Sequence, residues 1–128
     1  MVSFVDETTA GERGTAWHLE IFEERLPLHE VIRRRVFQEV AEHNASAGPV
    51  FRGLVQPVAA EQALNGFKLP KPRRVDPQEQ VDRALEAFGR NGFVVLVDDR
   101  QVDDLEAMVE LEMGVEITFL KLVPLVGG

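Results

Sequence analysis

Short apolar or alternating runs stand near both ends of the chain, and helical repeats lie between them. Val2-Ser-Phe-Val-Asp6 is β-prone. Residues 7–15 are polar and twice interrupted by glycine. In residues 17–22 the period is two, which puts Trp17, Leu19 and Ile21 on one face and His18 and Glu20 on the other. Together these predict a β-hairpin with a long loop.

Pro27 then stands where a helix begins, since a first turn tolerates its missing N–H. Glu30 suits the positive end of that helix. Leu28, Val31, Ile32, Val36 and Val40 make a helical stripe that ends near His43-Asn44, before Gly48-Pro49. Arg33, Arg34 and Arg35 fan over about 200° of its surface, so they form no single basic face. Further on, Ala59 to Leu64 reads as a helical turn, with Asn65-Gly66 as a turn signal. Leu69-Pro-Lys-Pro-Arg-Arg74 reads as an extended connector.

Asp76-Pro77-Gln78-Glu79 predicts a capped helix start. Val81, Ala84, Leu85 and Phe88 carry its apolar face, and Asn91-Gly92 stops it. Phe93-Val-Val-Leu-Val97 is an uninterrupted apolar run, which predicts a central strand buried on both faces. Asp98-Asp99 turns the chain into a short strand, Arg100-Gln-Val102. Leu105 to Leu111 fits helix and strand alike, and Gly114 ends it. Val115 to Val123 predicts the last strand, and pairing stops at Pro124, which has no N–H to donate. The chain then finishes Pro124-Leu-Val-Gly-Gly128, apolar almost to the last residue.

Composition narrows the class. The 128 residues suit one domain, and 45% hydrophobic with 28% charged residues predicts a globular chain rather than a disordered one. A net charge of −8 argues against a nucleic-acid partner, which calls for a basic face. The absence of cysteine excludes disulfides, thiolate metal sites and a cysteine nucleophile. No apolar stretch approaches the ~18 residues of a spanning helix, and Met1 to Thr9 lacks the pattern of a signal peptide. The expectation is a cytoplasmic protein without a membrane partner.

The order of elements, with two strands, a long helix, a connector holding a second helix and then more strands, predicts an α+β fold. A compact solution wraps a mixed sheet around the first helix and sets the first and last strands side by side at its centre. From Phe93 onward the chain resembles the C-terminal half of the β-grasp sulfur carriers. These are the small subunit of molybdopterin synthase and the thiazole-pathway sulfur carrier, cousins of ubiquitin. The resemblance rests on a core strand, a tight turn, a connector, and the lead-in Gly114, Glu116, Ile117. Pro124 and Gly127-Gly128 complete it. It covers roughly the last 36 residues by motif and the first 44 by order of elements, and residues 48–92 exceed what a compact carrier needs. It implies a single β-grasp domain over 1–128, with 48–92 as an enlarged insertion and 124–128 as a projecting tail.

The resemblance also implies a function without catalysis by the chain itself, and without a cofactor or metal. The Gly128 carboxylate would be activated as an acyl-adenylate by an ATP-dependent partner enzyme. It would then pass into a thiocarboxylate, or into a bond with an acceptor protein. Gly127 and Gly128, lacking Cβ atoms, suit passage through a narrow channel. Pro124, Leu125 and Val126 would anchor the tail in the partner. The alternative is a β-grasp adaptor that is never conjugated and binds a partner through its surface.

Other chemistry is less well supported by the residues. His18, His29 and His43 lack tight metal-ligand spacing and read as solvated. Asp98-Asp99 and Asp103-Asp104 read as turn chemistry rather than as an acid–base pair. The arginines read as salt-bridged or solvated, and Met108, Val109 and Leu111 as core rather than a docking patch.

Overall fold

The structure, a computed structural model, describes residues 1–46, 48–57, 60–63, 66–69, 74–112 and 114–122. It is α+β, with a mixed sheet and two helices. The chain divides into two compact units, residues 1–30 with 88–128, and residues 31–87.

The first unit is built on a five-stranded sheet. Its strands are β1 (Val2–Thr8), β2 (Trp17–Leu19), β7 (Phe93–Val97), β8 (Arg100–Val102) and β10 (Glu116–Lys121), in the order β2-β1-β10-β7-β8. The first and last strands are adjacent and parallel, from Ser3 opposite Glu116 to Thr8 opposite Lys121. The other pairings in this sheet are antiparallel. The sheet's middle strand is therefore the last one in the sequence. Residues 9–16 form the loop expected between β1 and β2.

One face of this sheet carries a row of aromatic rings. Trp17 lies 4.9 Å from Phe4, Phe4 5.7 Å from Phe119, Phe119 6.1 Å from Phe93, and Phe93 5.8 Å from Phe88, centroid to centroid. These spacings fall in the range where tilted rings attract beyond their area burial. On the opposite face Val5 and Thr118 are buried partners in register. β7 departs from the expectation of burial on both faces. Phe93 and Val95 are buried, while Val94 and Leu96 on the other side are only half-buried.

The hairpin turn at Asp98-Asp99 follows the expectation. Both residues have positive φ, 47° and 69°, as a two-residue type I′ turn demands. The ambiguous stretch 105–111 resolves into a turn followed by β9 (Met108–Glu110). β9 pairs antiparallel with β3 (Arg25–Pro27) in a separate two-stranded sheet. Pro27 thus closes a strand one residue before the helix rather than sitting inside the first turn. Helix α1 (Leu28–Ser46) has its first N–H groups satisfied by the same connector. Leu28 N–H donates to the Ala107 carbonyl (2.9 Å) and His29 N–H to that of Leu105 (3.0 Å).

Most of α1 belongs to the second unit, with α2 (Pro77–Gly89) and a three-stranded sheet. The strands are β4 (Val50–Phe51), β5 (Glu61–Ala63) and β6 (Gly66–Lys68), in the order β4-β6-β5. The expected helical turn over Ala59–Leu64 is therefore corrected: its core is strand β5, which pairs antiparallel with β6, while Ala59, Leu64 and the Asn65 of the expected turn lie outside the described residues. The connector 70–73 lies outside the described residues.

The stripe Leu28, Val31, Ile32, Val36, Val40 is fully buried, as its spacing predicts. Within the same arc at 3.6 residues per turn fall Arg35, Glu39 and His43, and these are buried too. Two sequence expectations are corrected here. Arg35 is not a surface arginine, and His43 is not solvated but stands edge-on to Phe51 at 5.3 Å.

Asn44 clamps the end of α1 to Val75, donating to its carbonyl (3.0 Å) and accepting from its N–H (2.8 Å). Helix α2 starts as its sequence predicts. Asp76 Oδ1 accepts from the N–H groups of Gln78 (3.0 Å) and Glu79 (3.5 Å), and Pro77 occupies the first helical position. Asp76→Ala is expected to lower stability by about 1 kcal/mol, read as a lower urea midpoint at unchanged slope.

Candidate functional site

The residues singled out by sequence for activation and recognition, Pro124, Leu125, Val126, Gly127 and Gly128, lie outside the described residues. The structure does describe where that segment is rooted. β10 ends at Lys121 in the middle of the sheet, with β1 and β7 on either side. The Lys121 carbonyl accepts from Thr9 N–H at 3.0 Å, and Leu122 N–H reaches the Gly92 carbonyl at 3.4 Å. Both flanking strands thus hold the chain as far as Leu122, whose side chain is exposed. The six residues after it can reach at most about 22 Å when fully extended.

The start of β10 is held as firmly. Asp98 N–H donates to the Glu116 carbonyl (2.9 Å), and Asp98 Oδ1 accepts from Glu116 N–H (3.1 Å). The hairpin tip between β7 and β8 therefore docks on the first residue of β10. Gly114, at φ +86°, supplies the bend that brings the chain into the strand.

Arg13 clasps the outer face of the central pair. It hydrogen-bonds Glu7 on β1 and, at 2.6 Å, Glu116 on β10. In register, those carboxylates flank Val5 and Thr118 diagonally. The two acids, Glu116 foremost, raise the Arg13 pKa above its ordinary value. The clasp is solvent-facing, so salt screens it and it adds little stability, but it ties the 9–16 loop to β1 and β10.

The residues weighed for other chemistry are dispersed. Asp98 is engaged with Glu116, and Asp104 Oδ1 accepts from Glu106 N–H at 2.9 Å, so both serve turns. His18 is exposed, its Nδ1 3.0 Å from Ser3 Oγ. Among the described residues no group of three histidine or acidic side chains could hold a metal ion. In the Met108, Val109, Leu111 cluster the strand period divides the roles. Val109 is buried, whereas Met108 is 52% exposed. No described helix is long and apolar enough to cross a membrane.

Sequence reasoning missed one polar cluster altogether. In the second unit Arg35 Nε donates to Glu39 Oε1 at 2.8 Å, with both side chains buried. Glu39 Oε2 accepts from Leu54 N–H, also at 2.8 Å. Gly53 lies against this carboxylate, where a Cβ would come 2.7 Å from Glu39 Oε2 and closer still to the Phe51 ring. The signal was in the sequence: an i, i+4 Arg–Glu pair inside the apolar arc of α1. Its engaged groups and close packing fit a structural role.

Compared with known proteins, the chain matches no family model, no curated protein and no solved structure.

Proposed function

We propose that this chain is a β-grasp protein of the ubiquitin-like or sulfur-carrier type whose Gly128 carboxylate is its reactive group. The observation that carries the reading is the strand order β2-β1-β10-β7-β8, with the first and last strands parallel at the centre. That order supports a β-grasp sheet and makes the middle strand the one that leads into Pro124-Leu-Val-Gly-Gly128. A tail rooted between two hydrogen-bonded neighbours is presented by a rigid base, which lowers the entropy cost of docking its end in a partner.

On this reading the chain does no catalysis itself. A cytoplasmic adenylating enzyme joins the Gly128 carboxylate oxygen to the α-phosphorus of ATP and releases pyrophosphate. Sulfide or an acceptor amine then attacks the carbonyl carbon. AMP leaves, and a thiocarboxylate or an amide remains. Pro124, Leu125 and Val126 are the segment the enzyme grips, and Gly127 gives the carboxylate access.

Hydroxylamine intercepts such activated acyl groups. In extract of the native host, ATP and hydroxylamine should convert the Gly128 carboxylate to a hydroxamate, visible by mass spectrometry of the C-terminal peptide. Omitting ATP should abolish it. An unmodified C-terminal peptide with ATP present would overturn the proposal and favour the unconjugated adaptor.

A further inference from the structure

A cleft of about 300 Å³ opens in the first unit beside β8, the outermost strand of the five-stranded sheet. That volume stands at the low end of ligand sites, which run roughly 300–1,000 Å³. Val97, Val102, Val109 and Val115 give it apolar walls, and Met108, whose side chain is exposed, lines it too. Glu110 and Glu112 line it as well, and both are exposed.

The segment that frames this cleft accounts for most of the protein's net negative charge. Residues 98–112 hold seven acids and one arginine, a net −6 of the chain's −8. Arg25 stands 3.9 Å from Glu110 with both side chains largely in solvent, so it neutralises little, and Arg100 is a single cation in the lining against Asp98, Glu110 and Glu112. A second copy of this chain would bring the same negative field against itself. Among the described residues, β8 has β7 on one side and no strand on its other edge. Such an edge offers backbone groups to an added strand.

We infer that this cleft binds an extended segment of a partner protein in which an apolar side chain is flanked by lysine or arginine. The segment runs along β8. Its apolar side chain enters between Val102 and Val109 beside Met108, and its cations face Glu110 and Glu112. The charged rim sets encounter rate and orientation, and the valine-lined interior supplies the contact area. The cleft is lined by residues within 97–115 and draws on none of 124–128, so the grip on this partner does not need the Gly128 chemistry.

A phage-displayed library of random dodecapeptides panned against the full chain tests the inference. The enriched peptides should share an apolar residue flanked by lysine or arginine. Titrating one of them into labelled protein should shift amide resonances of residues 97–115. Glu110→Lys combined with Glu112→Lys should weaken binding at least tenfold, and Met108→Ser should weaken it several-fold. A chain lacking Gly127-Gly128 should bind unchanged, which separates this inference from the tail reading. Absence of a shared motif, a motif without cations, shifts confined to other residues, or affinity indifferent to the charge reversal would each overturn it.

Discussion

Glu39→Ala should be among the most damaging single substitutions in the protein, lowering stability by about 3–5 kcal/mol. The carboxylate accepts from at least two donors, and both bonds are lost at once. Arg35 becomes a buried cation without its 2.8 Å acceptor, and the Leu54 N–H loses the oxygen it donates to. A buried charge that loses its counter-ion costs more than the pair was worth. The converse substitution separates these effects. Arg35→Met with Glu39→Leu removes both charges and keeps apolar volume, while leaving the Leu54 N–H unsatisfied at about 1–3 kcal/mol. The double variant should therefore be more stable than Glu39→Ala, although it carries one more substitution. Urea unfolding of the three proteins decides this. A single variant within 1 kcal/mol of the parent, or a double variant below the single, would contradict the account.

Phe119→Ala should cost a comparable ~3–5 kcal/mol, through a cavity rather than a charge. Phe119 is fully buried on the middle strand, between the rings of Phe4 and Phe93. Its loss opens the aromatic row at the strand that leads to the tail. Phe22→Ala serves as the contrast. Phe22 is 84% exposed, so the same chemical change should stay within about 0.5 kcal/mol of the parent. Hydrogen exchange should also quicken in β1 and β10 of Phe119→Ala, ahead of the second unit's helices. Equal destabilisation by the two substitutions would mean the row is not the sheet's core.

The elements that declared themselves in the sequence are those stabilised by their own residues. The buried stripe of α1 has strict helical spacing, α2 carries its own cap in Asp76-Pro77, and Asp98-Asp99 turns β7 into β8. The adjacency of first and last strands was legible from element order, and their register spans β1 almost entirely. What stayed hidden depends on distant partners. β5 is three residues long and looked helical alone; pairing with β6 makes it a strand. β9 finds β3 more than eighty positions earlier, a pairing that no local period encodes. Arg35 was read with its neighbours Arg33 and Arg34, although only Arg35 lies inside the apolar arc.

The candidate site divides in the same way. The tail was read from its own residues, Pro124 to Gly128, and from a resemblance. The described residues add its root: a middle strand pinned at Thr9, Gly92 and Asp98. The acidic cleft could not be read from sequence. Asp98, Glu110 and Glu112 are ordinary turn and strand-surface residues until the fold sets them around one apolar hollow.

The most direct test of the central claim is the intact mass, under denaturing conditions, of this protein isolated from its native host beside a variant lacking Gly127-Gly128. An activated tail predicts a sulfur-for-oxygen gain at Gly128 or a ladder of heavier adducts, present in the full chain and absent from the variant. A single unmodified mass in both proteins across growth conditions would contradict it.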